Sequence, residues 1–394
     1  MLTYLSRLGI PSYRIFFLLS LIPCGGLLLT VPFAYLSDRF EKKRVGICGL
    51  FIAVAGLILL ICAGSASAAT LTATAGILLF SIGNSAAGAG WFALLSPIVP
   101  PEIRGRFFGK LRIAWQSCGV VFTLVISALM NRFTQIRFYQ YVLLFAVGTS
   151  LLRNQFYWKI PELETSRPAP GGLWAALAKT LQIPNYLPFC AYTFLLTLFT
   201  GSIALVVGML SKDVLLFSGA QILMVGNCAA VGAIAGFYIG GKMVDHIGTR
   251  SVFLICHVSF AVILVLIALR GFSPFPALTT ICLLSGLFGA LGGASGIAFT
   301  SELLAIIPLK NKSLSTGFHL SLINAGAALS SLLIGQALKL NIFSPSWTFL
   351  NQTLSAYDSI LLGSAAMTLL LLIVIGLIPS ILQVRKAQWF PQNR

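Results

Sequence analysis

The stretch Ala34–Arg44 reads AYLSDRFEKKR and places six charged residues in its last seven positions. It closes a long apolar run in a chain that is only 9% charged and 58% hydrophobic. A related stretch, GGKMVDHIGTR at Gly240–Arg250, closes another such run. Soluble domains carry roughly 25% charged residues, so the remaining apolar surface here has no aqueous core to enter. A mean hydropathy of +0.95 over 394 residues points instead to the bilayer.

Eleven apolar spans can be marked: Ile15–Leu36, Val45–Cys62, Leu71–Ile98, Ile113–Met130, Tyr139–Tyr157, Tyr186–Leu210, Ser218–Met243, Ser251–Leu269, Ala277–Ile307, Gly317–Leu338 and Tyr357–Leu382. Each approaches or exceeds the roughly 20 residues that a helix needs to cross the hydrocarbon. The expected fold class is therefore all-α and integral to the membrane, with multiple passes. A net charge of +17 does not imply nucleic acid as a partner. Lys and Arg resist translocation and collect on cytoplasmic loops. With the loop at Asp38 placed inside and the spans alternated, inside loops hold 18 of the 26 Lys and Arg residues and outside segments hold 7. That orientation leaves the C-terminus cytoplasmic in a plasma (inner) membrane protein. The eight cysteines stand singly in apolar stretches without CxxC pairs or zinc spacing, and they read as packing residues. No metal or cofactor is expected.

The polar segment 158–185, with PELETSRPAPGG, divides the chain into an N-terminal bundle, 1–157, and a C-terminal bundle, 186–394. The halves repeat. Asp38-Arg39 aligns with Asp245-His246 at an offset of 207, and the same offset carries Pro101 onto Pro308. Gly109 falls on Gly317 at 208, and YLSR at Tyr4–Arg7 resembles MLSK at Met209–Lys212 at 205. Several landmarks at nearly one spacing indicate duplication, as in many transporters. Under this alignment the first half has five spans and the second has six. The expectation is a chain lacking the partner of Tyr186–Leu210.

The repeated loop resembles the signature G-x-L-x-D-R-x-G-R-R/K of the major facilitator superfamily. The second half supplies Gly241, Met243, Asp245, His246, Gly248 and Arg250. The first half supplies Leu36, Asp38, Arg39 and Lys42-Lys43-Arg44, with Ala34 and Glu41 where the family has glycines. PPEIRGRFFGKLR at Pro100–Arg112 is similar to the family's basic loop between the fourth and fifth helices. The resemblance implies two bundles, about 11 helices here (5 + 6), that open alternately to either side. It also implies a conformational latch formed by Asp38, Arg39, Gly241, Asp245, His246 and Arg250. Physically, a carboxylate at a span's inner end can pair with a guanidinium or meet a neighbouring helix's positive N-terminus. Solvated turns that only fix topology are the plainer reading, and they suit Lys42, Lys43 and Arg44.

The resemblance further implies that the fourth, seventh and tenth helices line the solute path. Ser81, Asn84 and Ser85 form a polar stripe on the first of these, and Thr193, Thr197 and Thr200 share one face of the second. Gly289, Gly293, Gly296 and Thr300 form a small-residue stripe on the third, which close helix packing also explains. Glu302 is the one carboxylate well inside a span and is the candidate for coupling to a proton or cation. Arg153, also within a span, reads as a residue that snorkels to the inner surface. His257 and His319 read as packing or capping residues. GFYIGGKM at Gly236–Met243 fits the start of a P-loop but ends in Met where Ser or Thr must hold the metal.

The expected function is secondary transport of a small solute by alternating access. The chain is read as a monomer whose partners are the solute, the lipid and a co-transported ion or proton. It is not expected to be an enzyme, since three histidines and nine acids, mostly in loops, supply no catalytic cluster. A non-transporting scaffold or sensor, or a decayed transporter, is the alternative that an absent cavity helix favours.

Overall fold

The computed structural model describes residues 1–64, 68–89, 91–95, 98, 104–130, 132–133, 135–163, 177–178, 180–306 and 312–376. Helices account for nearly all of them. A short α1 (Leu2–Arg7) precedes α2 (Ser12–Phe40), α3 (Lys42–Ala63), α4 (Ala69–Ala89), α5 (Trp91–Leu95), α6 (Arg104–Met130) and α7 (Ile136–Lys159). The second half holds α8 (Tyr186–Thr200), α9 (Ile203–Asp213), α10 (Gly219–Ala268), α11 (Ala277–Ile306), α12 (Lys312–Lys339) and α13 (Ala356–Leu371). Only helices and closed barrels satisfy every backbone amide inside lipid, which is why long apolar runs take this form.

Ten described helical stretches are long and apolar enough to cross a membrane. The eleventh expected span, Tyr139–Tyr157, is α7, whose hydropathy is diluted by Gln140, Arg153, Asn154 and Gln155. Two expected spans differ in form. The run Leu71–Ile98 ends its long helix at Ala89, and the five-residue α5 follows. The run Tyr186–Leu210 is split at Gly201-Ser202 into α8 and α9. Most of the linker 158–185, namely 164–176 and 179, lies outside the described residues, as does the end of the last span beyond residue 376.

Packing gathers the chain into two compact units. One comprises Met1–Arg112, Leu129–Leu181 and Asn311–Ile342; the other comprises Ile113–Ala128, Gln182–Lys310 and Phe343–Arg394. This partition differs from the sequence halves because each unit takes one helix from the other half. In the first unit α12 lies on α2, where a Cβ at Gly26 would stand 2.6 Å from the Asn324 amide nitrogen. In the second, α6 is tied to α10: the Ser127 hydroxyl donates to the Ala220 carbonyl at 2.7 Å, and the Thr123 hydroxyl donates to the Asn227 amide oxygen. The 207-residue offset carries α2 onto the start of α10 and α6 onto α12. The two exchanges are thus repeat images of one another.

Small residues permit these contacts. A Cβ at Gly49 on α3 would sit 2.6 Å from the Ala87 nitrogen and 2.7 Å from the Gly83 carbonyl oxygen on α4, so the two backbones touch. An aromatic and aliphatic cluster of Ile47, Leu50, Ala87, Leu94 and Tyr157 fills one end of the first unit. At the opposite end Tyr4 on α1 donates to the Leu60 carbonyl at 2.7 Å and meets the Tyr139 ring. Tyr4 and Leu5 are buried as fully as Met209 and Leu210, the residues 205 positions later.

A β-hairpin, β1 (Ser346–Phe349) with β2 (Gln352–Ser355), joins α12 to α13 and was not anticipated from the apolar pattern. Its two-residue turn puts Leu350 at φ 46° and Asn351 at φ 63°, the left-handed geometry that suits the twist of a tight hairpin.

The most direct structural trace of the repeat lies in the two charged loops. Gly248 interrupts α10 at φ 79° and ψ 161°, and Glu41, 207 residues earlier, separates α2 from α3 at φ 75° and ψ 126°. The same bend is made twice, by glycine in one half and by glutamate in the other. A side chain at positive φ costs roughly 1–2 kcal/mol, and the exposed Glu41–Arg44 pair returns little of it. Glu41→Gly is expected to stabilise the protein by about 1 kcal/mol; a lowered thermal midpoint in detergent would contradict the shared bend.

Candidate transport site and inner latch

In the first unit α4 presents the predicted stripe unevenly. Ser81 is buried and its hydroxyl reaches the Leu21 and Ile22 carbonyls of α2 at 2.8 and 3.0 Å. Ser85 is also buried and donates to the Ser81 carbonyl at 2.9 Å. The Ser81 hydroxyl is spent on the contact with α2, and the Ser85 hydroxyl bonds within its own helix. Asn84 is exposed and lines a cavity of about 280 Å3 with Leu50, Ala53, Leu57, Phe80, Ala146, Thr149, Ser150 and Arg153. The sequence reading treated Arg153 as a surface-seeking residue; the fold brings it to the same cavity as Asn84.

In the second unit the threonines of α8 bond within their own helix. Thr193 donates to Cys190 at 3.0 Å, Thr197 to Thr193 at 2.8 Å and Thr200 to Leu196 at 2.8 Å. Thr193 is buried, whereas Thr197 and Thr200 are half-exposed. A hydroxyl that donates to its own helix keeps lone pairs for an incoming donor. Thr300 on α11 behaves likewise: it is exposed and donates to Gly296 at 2.9 Å. Gly289 and Gly293 lie against α10, where an added Cβ would meet the Ala229 and Ala233 backbones, while Gly296 faces open space.

Glu302 is 3% exposed, and its carboxylate accepts the Thr249 hydroxyl at 2.6 Å. Thr249 directly follows the Gly248 bend, so the coupling candidate sits against the second-half latch loop. The side chains of Asp38, Arg39 and Asp245 lie outside the described residues. Among the other latch residues, His246 is exposed, Arg250 is half-buried, and a Cβ at Gly241 would meet open space.

Sequence reasoning did not mark three groups that the fold assembles. Glu162 accepts from the Lys42 and Lys43 backbone nitrogens at 2.9 and 3.3 Å, capping α3 directly behind the Glu41 bend. Its place after a Pro at a span's end was the only signal. At the far end of the second unit, Arg270 and Asp358 form a buried ion pair, with side chains 9% and 0% exposed. Asp358 also accepts from the Ser355 nitrogen and hydroxyl, both at 2.8 Å, as the capping box of α13. Close by, Tyr357 donates to Asp213 at 2.5 Å and so fastens α9 to α13. Third, His257 on α10 contacts the hydroxyls of Tyr192, on α8, and Ser295, on α11.

Apolar membrane-crossing helices, duplicated bends and sparse polar groups within the spans define a multi-pass membrane carrier. The family model described as Major Facilitator Superfamily matches residues 1–211, and the chain belongs to that family, as a secondary transporter. Among solved structures it is similar to an alanine mutant of the nucleoside transporter NupG, with a TM-score of 0.70 and 14% identity over 95% of this chain and 92% of that one. NupG itself gives 0.68 at the same identity and coverage. The E. coli fucose:proton symporter FucP gives 0.60 at 14% identity, over 94% of this chain and 93% of that one. At such identity the likeness is one of fold. No curated protein matches the chain.

The Arg270–Asp358 pair supplies a direct test of this packing. Removing one partner of a buried pair costs about 3–5 kcal/mol, whereas removing both charges costs far less. Arg270→Met is expected to lower stability in detergent by that amount, and Arg270→Met with Asp358→Asn, which removes the charge but keeps the acceptor that caps α13, to recover most of it. A double variant no better than the single one would contradict the assignment.

Proposed function

We propose that the protein is a proton-coupled carrier of a neutral, hydroxyl-bearing solute of nucleoside or sugar size. The single observation behind the alternating-access part of this reading is the bend made twice, at Glu41 and Gly248, 207 residues apart. Repeated hinges at equivalent inner loops give a carrier two equivalent elements to close and open. The solute class rests on the polar groups available: Asn84 and Arg153 in the cavity of the first unit, and Thr197, Thr200 and Thr300 in the second, offer amide, guanidinium and hydroxyl partners to a solute's hydroxyls. The solutes named for NupG and FucP, a nucleoside and fucose, belong to that class.

In this reading the inner latch comprises Asp38, Arg39, Gly241, Asp245, His246 and Arg250. Glu302, through Thr249, serves the same latch. Its hydrogen bond to the residue after the hinge favours that role over independent ion coupling. The latch faces the cytoplasm, as does the C-terminus, and the membrane is the plasma membrane. The two sequence halves, 1–157 and 186–394, joined by 158–185, are the repeated bundles, and the working form is a monomer.

Charge-assisted hydrogen bonds contribute about 1.5–3 kcal/mol each, so losing one shifts a two-state balance by roughly tenfold or more. Asp38→Asn and Asp245→Asn are each expected to raise the inward-open population by that factor. Spin-label distances between inner loops read it, and unchanged distances in both variants would remove the latch. For transport, proteoliposomes holding the full chain are expected to accumulate labelled uridine or L-fucose when the exterior is made acidic. Protonophore should abolish the accumulation. Folded protein that moves neither solute, even in exchange, would favour the scaffold reading.

A further inference from the structure

Within the second unit, His257 is 1% exposed and ringed by Phe253, Phe260, Phe299 and Tyr192, with ring centroids 5.6–6.2 Å away. Its Nδ1 lies 2.5 Å from the Tyr192 hydroxyl and its Nε2 lies 3.5 Å from the Ser295 hydroxyl. Tyr192 and Ser295 are 1% and 3% exposed. Three helices, α8, α10 and α11, therefore meet at one imidazole.

The partners distinguish this histidine from one that only fills space. A ring fixed between a carbonyl and an amide has one permitted tautomer. Here both partners are hydroxyls, and each can donate or accept by rotating. In the neutral ring one hydroxyl donates to the bare nitrogen while the other accepts from the N–H. When a proton joins the bare nitrogen, both nitrogens donate, and the first hydroxyl turns its hydrogen away and accepts. No heavy atom need move for the proton to be held.

The surroundings decide when it can be held. The titratable and charged groups on the packed elements are Tyr186, Cys190 and Tyr192 on α8, Cys228, Tyr238, Lys242, Asp245, His246, Arg250 and Cys256 on α10, and Cys282 and Glu302 on α11. At the outer end of α13 stand Tyr357 and Asp358. Glu302 lies seven residues along α11 from Ser295, about 10 Å away by helical rise, with the close Phe253–Phe299 pair between. Asp358 is engaged by Arg270. Among the described residues no acid is hydrogen-bonded to His257, so an imidazolium here would lack a bonded counter-charge.

We propose that His257 is the binding site of the co-transported proton, filled only when α8 moves off α10 and α11 and admits water. This rests on the proton-coupled reading above and supplies its residue. The helix that must move also carries Thr197 and Thr200. A joint at Gly201-Ser202 separates it from α9, which is fastened to α13 through Asp213 and Tyr357, and α8 itself rests on α13 through the apolar contact of Tyr192 and Leu196 with Leu371. Solute and proton thereby act on one helix.

The test uses full-length protein in proteoliposomes with labelled uridine, L-fucose if uridine is not moved, and two assays. In wild type both ΔpH-driven accumulation and solute exchange at equal pH are expected. His257→Gln should lower accumulation at least tenfold and leave exchange within about threefold. Tyr192→Phe, which keeps the ring cage but removes the hydroxyl, should shift the pH dependence of accumulation. Accumulation by His257→Gln at the wild-type level overturns the proposal, whereas wild type without either activity overturns the carrier reading instead. If His257→Gln loses both activities, 15N-histidine spectra of the wild type decide. A His257 ring that titrates between pH 4 and 8 with solute present supports the assignment, and one that remains neutral throughout overturns it.

Discussion

Inside lipid no water can take up a hydrogen bond, and the described spans are organised by that constraint. Backbone amides are satisfied within helices, and many hydroxyls follow the same rule, although those of Ser37, Ser211 and Ser321 are buried without a partner among the described residues. Thr74, Thr197, Thr200, Thr300 and Thr368 each donate to the carbonyl four residues earlier. Where hydroxyls leave their own helix, they tie it to another, as Ser81 and Ser127 do. The polar residues of the spans thus act first as internal fasteners, and their spare lone pairs are what remains for a solute.

Charges are treated differently at the two ends of the helices. At one end of the second unit Arg270, Asp358, Asp213 and Tyr357 join α9, α13 and the turn after α10. The Arg270–Asp358 pair is buried and self-compensating, and the part-buried Tyr357–Asp213 bond stands beside it, which suits a fixed brace. At the other end the groups cluster around bends. Glu162 caps α3 just after Glu41, and Glu302 holds Thr249 just after Gly248. In both loops a carboxylate addresses the residue that follows a positive-φ hinge, although it comes from the end of α7 in one half and from α11 in the other. Duplication fixed the hinge, and each half found its own anion for it.

Much of this was legible from residues alone. Apolar runs separated by Gly, Pro and charge located the long helices, because a helix crossing lipid leaves few alternatives. The 207-residue spacing located the paired charged loops in which the two bends fall. Asn84 stood out as part of a polar stripe on a helix that the family resemblance assigns to the solute path, and the fold sets it beside Arg153. Other features were hidden for physical reasons. Gly201-Ser202 resembles any small pair in a long apolar run, yet it breaks a helix. The hairpin between α12 and α13 is too short to announce itself. His257 read as a packing residue because its partners lie 65 and 38 positions away.

The sequence by itself determined that the chain enters the membrane, how its loops are charged and that its halves repeat, since composition and period are one-dimensional properties. Tertiary structure alone decided which helices exchange between packing units, which hydroxyls are spent and which acids meet which hinges. Those outcomes depend on contacts between residues far apart in the chain, where small side chains let backbones touch and buried polar atoms must find partners wherever folding brings them.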